Sequence, residues 1–253
     1  MADKNYPELA RQARLKVLEM VHRAKTSHIA SNFSVIDIGT VLYENLKEGD
    51  EVVWSKGWAA ATIYYFLAKQ GKIPEADLEK FPQSPYFGLA ETSVSGVHVS
   101  GGSMGHGLPV AVGMALSKKR AGEPGRVFCI ISDGECNEGT TWESAAVAAQ
   151  HKLDNLTVFV DQNKWQAMGR TSEVLDIQIA DVFLAFKWEA YEGDGHEYSG
   201  IEEIISNYSN STPRVVVCDT IKGKGVSFFE DHLVYHYKHV DDDEYERAKK
   251  ELS

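Results

Sequence analysis

The stretch Val127–Lys164, VFCIISDGECNEGTTWESAAVAAQHKLDNLTVFVDQNK, constrains the fold more than any other part of the chain. Its first apolar run reads as a buried strand over Val127–Ser132 and its second as a strand over Leu156–Asp161, with a helix predicted between them over Asn137–His151. A strand–helix–strand unit of this length makes the two strands parallel. Both runs end in oxygen-bearing side chains, Asp133 and, thirty residues later, Asn163.

The alternation continues downstream. Helix is predicted over Ile177–Phe186, strand over Trp188–Glu192, helix over Gly200–Asn207 and strand over Arg214–Asp219. Upstream, Leu9, Ala13, Val17, Met20 and Val21 fall at helical spacing within Pro7–Ala24. A second helix is expected over Val35–Asn45 with Ser34 as its cap, then a short strand over Glu51–Ser55 and a helix over Gly57–Gly71 ended by glycine. Lys72–Val99 reads as a loop with one short helix at Glu75–Lys80, and helix returns over Gly105–Ala121. The expected fold is α/β, a mostly parallel central sheet with helices on both faces. It is expected to form one domain over residues 1–253, including the N-terminal helical segment 7–24.

In such a sheet Asp133 and Asn163 lie at the carboxyl ends of neighbouring strands, where open parallel sheets bind ligands. An anionic carboxylate and an amide oxygen are hard donors suited to Mg²⁺ or Ca²⁺. Gly134 lets a ligand approach the backbone, and Asn137 and Glu138 are expected to open a helix whose N–H groups face an anion. Asp-Gly alone is also a common turn. The pair, with its crossover, points to a metal-bound diphosphate.

Composition removes other function classes. A formal net charge of −11 without a basic stripe excludes a nucleic-acid binder, and an anionic ligand then needs help from a metal, a helix N-terminus or a few placed cations. No apolar run approaches membrane-span length, and the charged N-terminus lacks the apolar block of a secretory signal. Cys129, Cys136 and Cys218 have no metal-ligand spacing and are odd in number; two of them sit in apolar strand-like runs and read as buried reduced thiols, so a cytoplasmic protein is expected.

Four segments in order, KTSHIASNFSVIDIG (Lys25–Gly39), GGSMGHGLPVAVGMALSKK (Gly101–Lys119), the Val127–Lys164 stretch and DTIKGKGVSFFED (Asp219–Asp231), resemble the transketolase family, especially the N-terminal subunit of bacterial split transketolases. The resemblance implies thiamine diphosphate and Mg²⁺ (or Ca²⁺) as cofactors. Asp133, Asn163 and the main-chain oxygen of Trp165 would hold the metal. Gly134 and Glu135 would lie with the diphosphate, and Gly102, Ser103 and Met104 would form the loop against the coenzyme rings. Glu138 matches a glutamate at the subunit interface.

Among nine histidines, His28 and His236 match family histidines that reach substrate and coenzyme, and are the expected catalytic residues. His106 lies beside the cofactor loop, while His22, His151, His196, His232 and His239 are expected to be structural or solvated. Two departures stand out. SKGWAA (Ser55–Ala60) carries Trp58 where the family has a histidine, and SPYFGLAE (Ser84–Glu91) lacks a further one. Tryptophan keeps one N–H donor but exchanges no proton near neutral pH. Lys222 or Lys224 is the expected compensating cation.

The resemblance further implies transfer of a two-carbon ketol unit between a ketose (phosphate) donor and an aldose acceptor. It also implies a separate partner, a C-terminal transketolase-like subunit carrying the pyrimidine-binding domain, in a heterotetramer. Trp58 points to an unusual sugar. Two alternatives stay open: a subunit resembling 1-deoxyxylulose-5-phosphate synthase or a 2-oxoacid dehydrogenase, and a non-catalytic scaffold subunit.

Overall fold

A computed structural model describes residues 4–207 and 211–253. Three helices open the chain, α1 (Tyr6–Ala24), α2 (Ile29–Ser34) and α3 (Ile36–Glu44), followed by strand β1 (Glu51–Trp54), α4 (Ala60–Lys69) and α5 (Gly107–Ala121). The regular part is β2 (Val127–Ser132), α6 (Gly139–Gln150) and β3 (Leu156–Gln162), then a small hairpin of β4 (Trp165–Gln166) and β5 (Gly169–Arg170). It continues as α7 (Thr171–Val174), α8 (Ile179–Ala185), β6 (Glu189–Asp194), α9 (Tyr198–Ser206) and β7 (Arg214–Asp219), and closes with α10 (Val234–Tyr237) and α11 (Asp242–Glu251).

Five strands form one parallel sheet in the order β1-β2-β3-β7-β6. Alternation along each strand divides the core. Phe128, Ile130, Phe159, Val216 and Cys218 pack with α1–α4, whereas Cys129, Ile131, Val158, Val160, Val215 and Val217 pack with α5, α6 and α8. Buried strands with apolar side chains on both faces are what covered parallel sheets require. The expectation of a mostly parallel sheet between helical layers is met. All three cysteines are buried free thiols, and burial pushes each one up.

Several boundaries differ from the sequence reading. Ser34 ends α2 rather than capping α3, because its hydroxyl is drawn to Asp161 at 2.7 Å. Residues Gly134–Asn137 form a 3₁₀ turn, and α6 starts only at Gly139. The expected helix start at Asn137 and Glu138 is therefore displaced, with Glu138 extended as N-cap. Gly57–Ala59 is also a 3₁₀ turn leading into α4. Helix α11 was not anticipated, although Asp241 and Glu244 make a reciprocal capping box at its start. Among the described residues no helix is long and apolar enough to cross a membrane.

Candidate active site

β2 and β3 pair with Ser132 opposite Asp161, so Asp133 and Asn163 leave the sheet side by side. Asp133 is only 4% exposed. Its Oδ1 accepts the Gly134 N–H at 2.9 Å and its Oδ2 accepts the Lys164 N–H at 2.6 Å. Burial, and then the neighbouring Asp161, push its carboxyl up to about 7. A carboxylate in this position is a buried anion that a cation would relieve.

Asn163 is oriented by what lies behind it. Its Nδ2 donates to Asp161 Oδ2 and to Ser34 Oγ, each at 3.4 Å, while its Oδ1 accepts the Trp165 N–H at 3.2 Å. Burial alone would push Asp161 up, but Lys56, Thr220 and Ser34 outweigh it and hold the carboxyl below its ordinary range. An ionised carboxylate only accepts, so the amide must turn its N–H₂ inward and its oxygen toward the loop. Lys56 Nζ donates to Asp161 Oδ2 and, at 3.1 Å, to Ser34 Oγ, while Thr220 Oγ1 donates to Asp161 Oδ1. This buried cluster supports the loop from below.

Above it lies a cavity of about 210 Å³ bounded by His28, Lys56, Trp58, Met104, Asn163 and His236, with Gly102, Gly134, Trp165 and Gln166 also on its wall. The Nε2 of Gln166 is a buried donor without a hydrogen-bond partner among the described residues. A hard-oxygen pair, an orphaned donor and two neighbouring lysines fit a metal-bound polyanion. Among the described residues no group of three or more His, Cys, Asp and Glu could hold a metal. An ion here would thus rest on one carboxylate, neutral oxygens and its ligand's phosphates, as Mg²⁺ commonly does. A larger crevice of about 670 Å³ at the ends of β3, β6 and β7 is more polar, but its Lys164 already pairs with Asp219 at 2.7 Å.

Glycine spacing brings the Gly102–Met104 loop to this place. A Cβ on Gly57 would collide with the Gly101 Cα, an approach no side chain allows. The Gly101 N–H donates to Ala90 O at 2.7 Å and the Ala90 N–H to Gly57 O at 3.2 Å, closing the contact. Glu135 acts on the same loop from outside the cavity. Its Oε1 accepts from Ser55 Oγ and, at 3.0 Å, from the Gly105 N–H, while Oε2 has no partner among the described residues. Burial pushes this carboxyl up to about 7. Ser103 points away and accepts or donates to His106 at 3.2 Å on the exposed side.

His28 and His236 meet at the cavity with ring centroids 4.8 Å apart. His28 adopts a left-handed backbone (φ 71) and stacks on Trp58 at 4.3 Å. Burial, Lys222 and Lys56 pull His28 down to about 4, and burial, Lys222, His28 and Lys56 pull His236 down to about 3. Both imidazoles are neutral near pH 7. Lys222 is 1% exposed and lies 2.8 Å from His236 Nδ1; burial, then Lys56, pull it down to about 7. Lys224 instead lines the larger crevice, so of the two lysines only Lys222 joins the histidines.

The residues brought together are therefore Asp133, Asn163, Trp165, Gly102, Met104, Gly134, His28, His236 and Lys222. Ser103 and Glu135 stand at one remove from the cavity. Sequence reasoning missed Lys56, Asp161, Ser34, Thr220 and Gln166. For Asp161 a signal existed: an aspartate ending an otherwise apolar buried run needs a partner cation. His196, read as structural or solvated, is structural, with its Nδ1 on Asp37 at 2.6 Å and its Nε2 accepting the Ile221 N–H at 2.9 Å.

Comparison with known proteins shows the family. A family model described as transketolase, thiamine diphosphate binding domain, matches residues 6–253. An apulose-4-phosphate transketolase subunit of Actinobacillus succinogenes is 34% identical, covering 98% of this chain and 97% of the relative. A 6-deoxy-6-sulfo-D-fructose transketolase subunit of a Clostridium species is 30% identical, covering 93% of this chain and 91% of the relative. The solved transketolase of Campylobacter jejuni superposes with a TM-score of 0.93 at 26% identity, covering all of this chain and 43% of the other. The chain thus spans less than half the length of that solved transketolase. It belongs to the transketolase family and corresponds to its thiamine-diphosphate-binding domain.

Proposed function

We propose that the chain is the diphosphate-binding half of a two-chain transketolase. With a C-terminal subunit carrying the pyrimidine-binding domain, in a heterotetramer, it moves a two-carbon ketol unit from a ketose donor to an aldose acceptor. The observation that carries this reading is the pairing of Asp133 and Asn163 at adjacent strand ends, beneath a cavity holding two neutral imidazoles. The relatives named as separate transketolase subunits support the two-chain arrangement.

Asp133, Asn163 and the main-chain oxygen of Trp165 would hold Mg²⁺ (or Ca²⁺). Gly102, Met104, Gly134 and His236 would line thiamine diphosphate, with Lys222 supplying positive charge, Ser103 completing the loop and Glu135 bracing it through Gly105. Bound there, the coenzyme supplies the electron sink that lets a carbon–carbon bond beside a carbonyl break and form. The chain positions the reactants and manages protons. Neutral His28 and His236 can each turn a ring nitrogen toward the cavity, and their closeness lets both reach one substrate.

The sugar handled is proposed to be uncommon. Trp58 covers one face of His28 and remains 39% exposed, so it adds an apolar surface without a proton-exchanging group. Relatives acting on apulose 4-phosphate and on a sulfonated fructose support this. The complex, reconstituted with its partner, thiamine diphosphate and Mg²⁺, is expected to turn over such sugars faster than common pentose phosphates. Trp58→His is expected to raise kcat/KM for pentose phosphates by roughly tenfold to a hundredfold. Wild-type turnover of pentose phosphates at ordinary transketolase rates would remove the unusual-sugar reading, and CO₂ release from a 2-oxoacid donor would favour a decarboxylating enzyme.

A further inference from the structure

His28 and His236 differ in a way that separates their roles. Ser27 Oγ lies 2.6 Å from His28 Nδ1, and a hydroxyl can donate or accept, so either ring nitrogen of His28 can carry the proton. His236 Nδ1 instead faces Lys222 Nζ at 2.8 Å. Below about pH 7 Lys222 is an ammonium, with three donors and no acceptor, so the nitrogen it faces must offer a lone pair.

Lys222 is held rigidly for this contact. Its carbonyl accepts the Asp231 N–H at 2.8 Å, and the next residue, Gly223, donates its N–H to Ala30 O at 3.0 Å. Gly223 itself sits at φ +85 with the Phe229 carbonyl oxygen where a Cβ would stand, so the turn admits only glycine. The lysine side chain is buried, and its one hydrogen bond among the described residues is to His236. Burial favours keeping that bond, because an unpartnered amine there would be costly.

We propose that Lys222 is a positioning residue that fixes His236 in the tautomer protonated on Nε2. His236 then presents a hydrogen-bond donor to the cavity it lines, and its lone pair is spent on Lys222. His28, free to carry its proton on either nitrogen, is left as the group that accepts and returns protons. The division of labour rests on the site assignment made above for its meaning in turnover. The tautomer itself does not, and is a property of this chain alone.

The test is the long-range ¹H–¹⁵N spectrum of the full chain labelled at histidine. It is recorded at about pH 6, below the value to which burial pulls Lys222 and above that of His236. His236→Gln identifies the signal by its loss. The wild type is expected to have a pyridine-like Nδ1 and a pyrrole-like Nε2, the Nε2–H form exceeding the other by about tenfold or more. Lys222→Met is expected to bring the two forms to comparable populations, and Lys222→Arg, which retains a donor, to preserve the wild-type pattern. A pyrrole-like Nδ1 in the wild type overturns the proposal even if no variant folds, and so does an unchanged pattern in a folded Lys222→Met. Because the measurement needs neither coenzyme nor turnover, its failure is distinct from failure of the functional reading.

Discussion

Replacing Asp133 by asparagine is expected to stabilise the metal-free chain at about pH 8 relative to its effect at about pH 5, by roughly 2–3 kcal/mol in urea denaturation. The folded-state carboxyl lies at about 7, above its ordinary 3.8, chiefly because it is buried and faces Asp161. Between those values the folded chain keeps a proton that the unfolded chain has released. Stability contributed by this group is therefore complete below about 3.8 and falls as pH rises through about 7. The whole displacement corresponds to at most about 4 kcal/mol. Asparagine does not ionise and escapes the loss. It retains one acceptor where Asp133 has two, facing the Gly134 and Lys164 N–H groups, which offsets part of the gain at every pH but not its pH dependence.

Mg²⁺ with thiamine diphosphate should reverse the ranking. A ligand at a hundred times its Kd stabilises the protein that binds it by about 2.7 kcal/mol, and the asparagine variant should gain almost none of this. A residue that weakens the empty fold and strengthens the loaded one is expected where function, not packing, dictates the side chain. Equal stabilisation of both proteins by Mg²⁺ would show that Asp133 holds no ion.

Lys56→Met is expected to cost about 3–5 kcal/mol of stability, because it strands Asp161 as a fully buried carboxylate without its cation. Ser34, Thr220 and Asn163 would still donate to it, but none carries charge. Adding Asp161→Asn to the same chain should recover most of the loss, since the double variant buries no charge at this place. The double variant separates folding from function. The amide introduced by Asp161→Asn offers Asn163 Nδ2 one neutral acceptor in place of a charged one, weakening the orientation of the Asn163 side chain, so Mn²⁺ affinity should fall about 10–100-fold while stability returns. Urea denaturation and a Mn²⁺ titration of wild type, Lys56→Met and the double variant read both effects. A Lys56→Met chain within about 1 kcal/mol of wild type would mean that the pair is solvated rather than buried.

How much of this was legible depended on where the controlling contacts lie in the chain. Strands β2 and β7 were read to the residue because their apolar runs are continuous and bounded by polar ends. Helix α2 was missed because all six of its residues are buried, which removes any polar face to set a period. Helix α11 is hidden among charges, since of its two buried residues, Glu244 and Ala248, only one is apolar, yet the Asp241–Glu244 capping box was in plain view. In the site, Asp133 and Asn163 were legible because both terminate strands of one crossover unit. Lys56 meets Asp161 only through the sheet order, 105 residues away, and no local pattern encodes that meeting. The choice of Lys222 over Lys224 likewise waited for the Gly223 turn to set which side chain faces inward.

The proposed mechanism rests on one divalent cation between the ends of β2 and β3. Anomalous diffraction from crystals of the chain with its partner subunit, grown with thiamine diphosphate and Mn²⁺, would locate it. A single strong manganese peak is expected within bonding distance, about 2.0–2.3 Å, of an Asp133 oxygen and Asn163 Oδ1. Full occupancy of the coenzyme with no metal at those two side chains would contradict the mechanism.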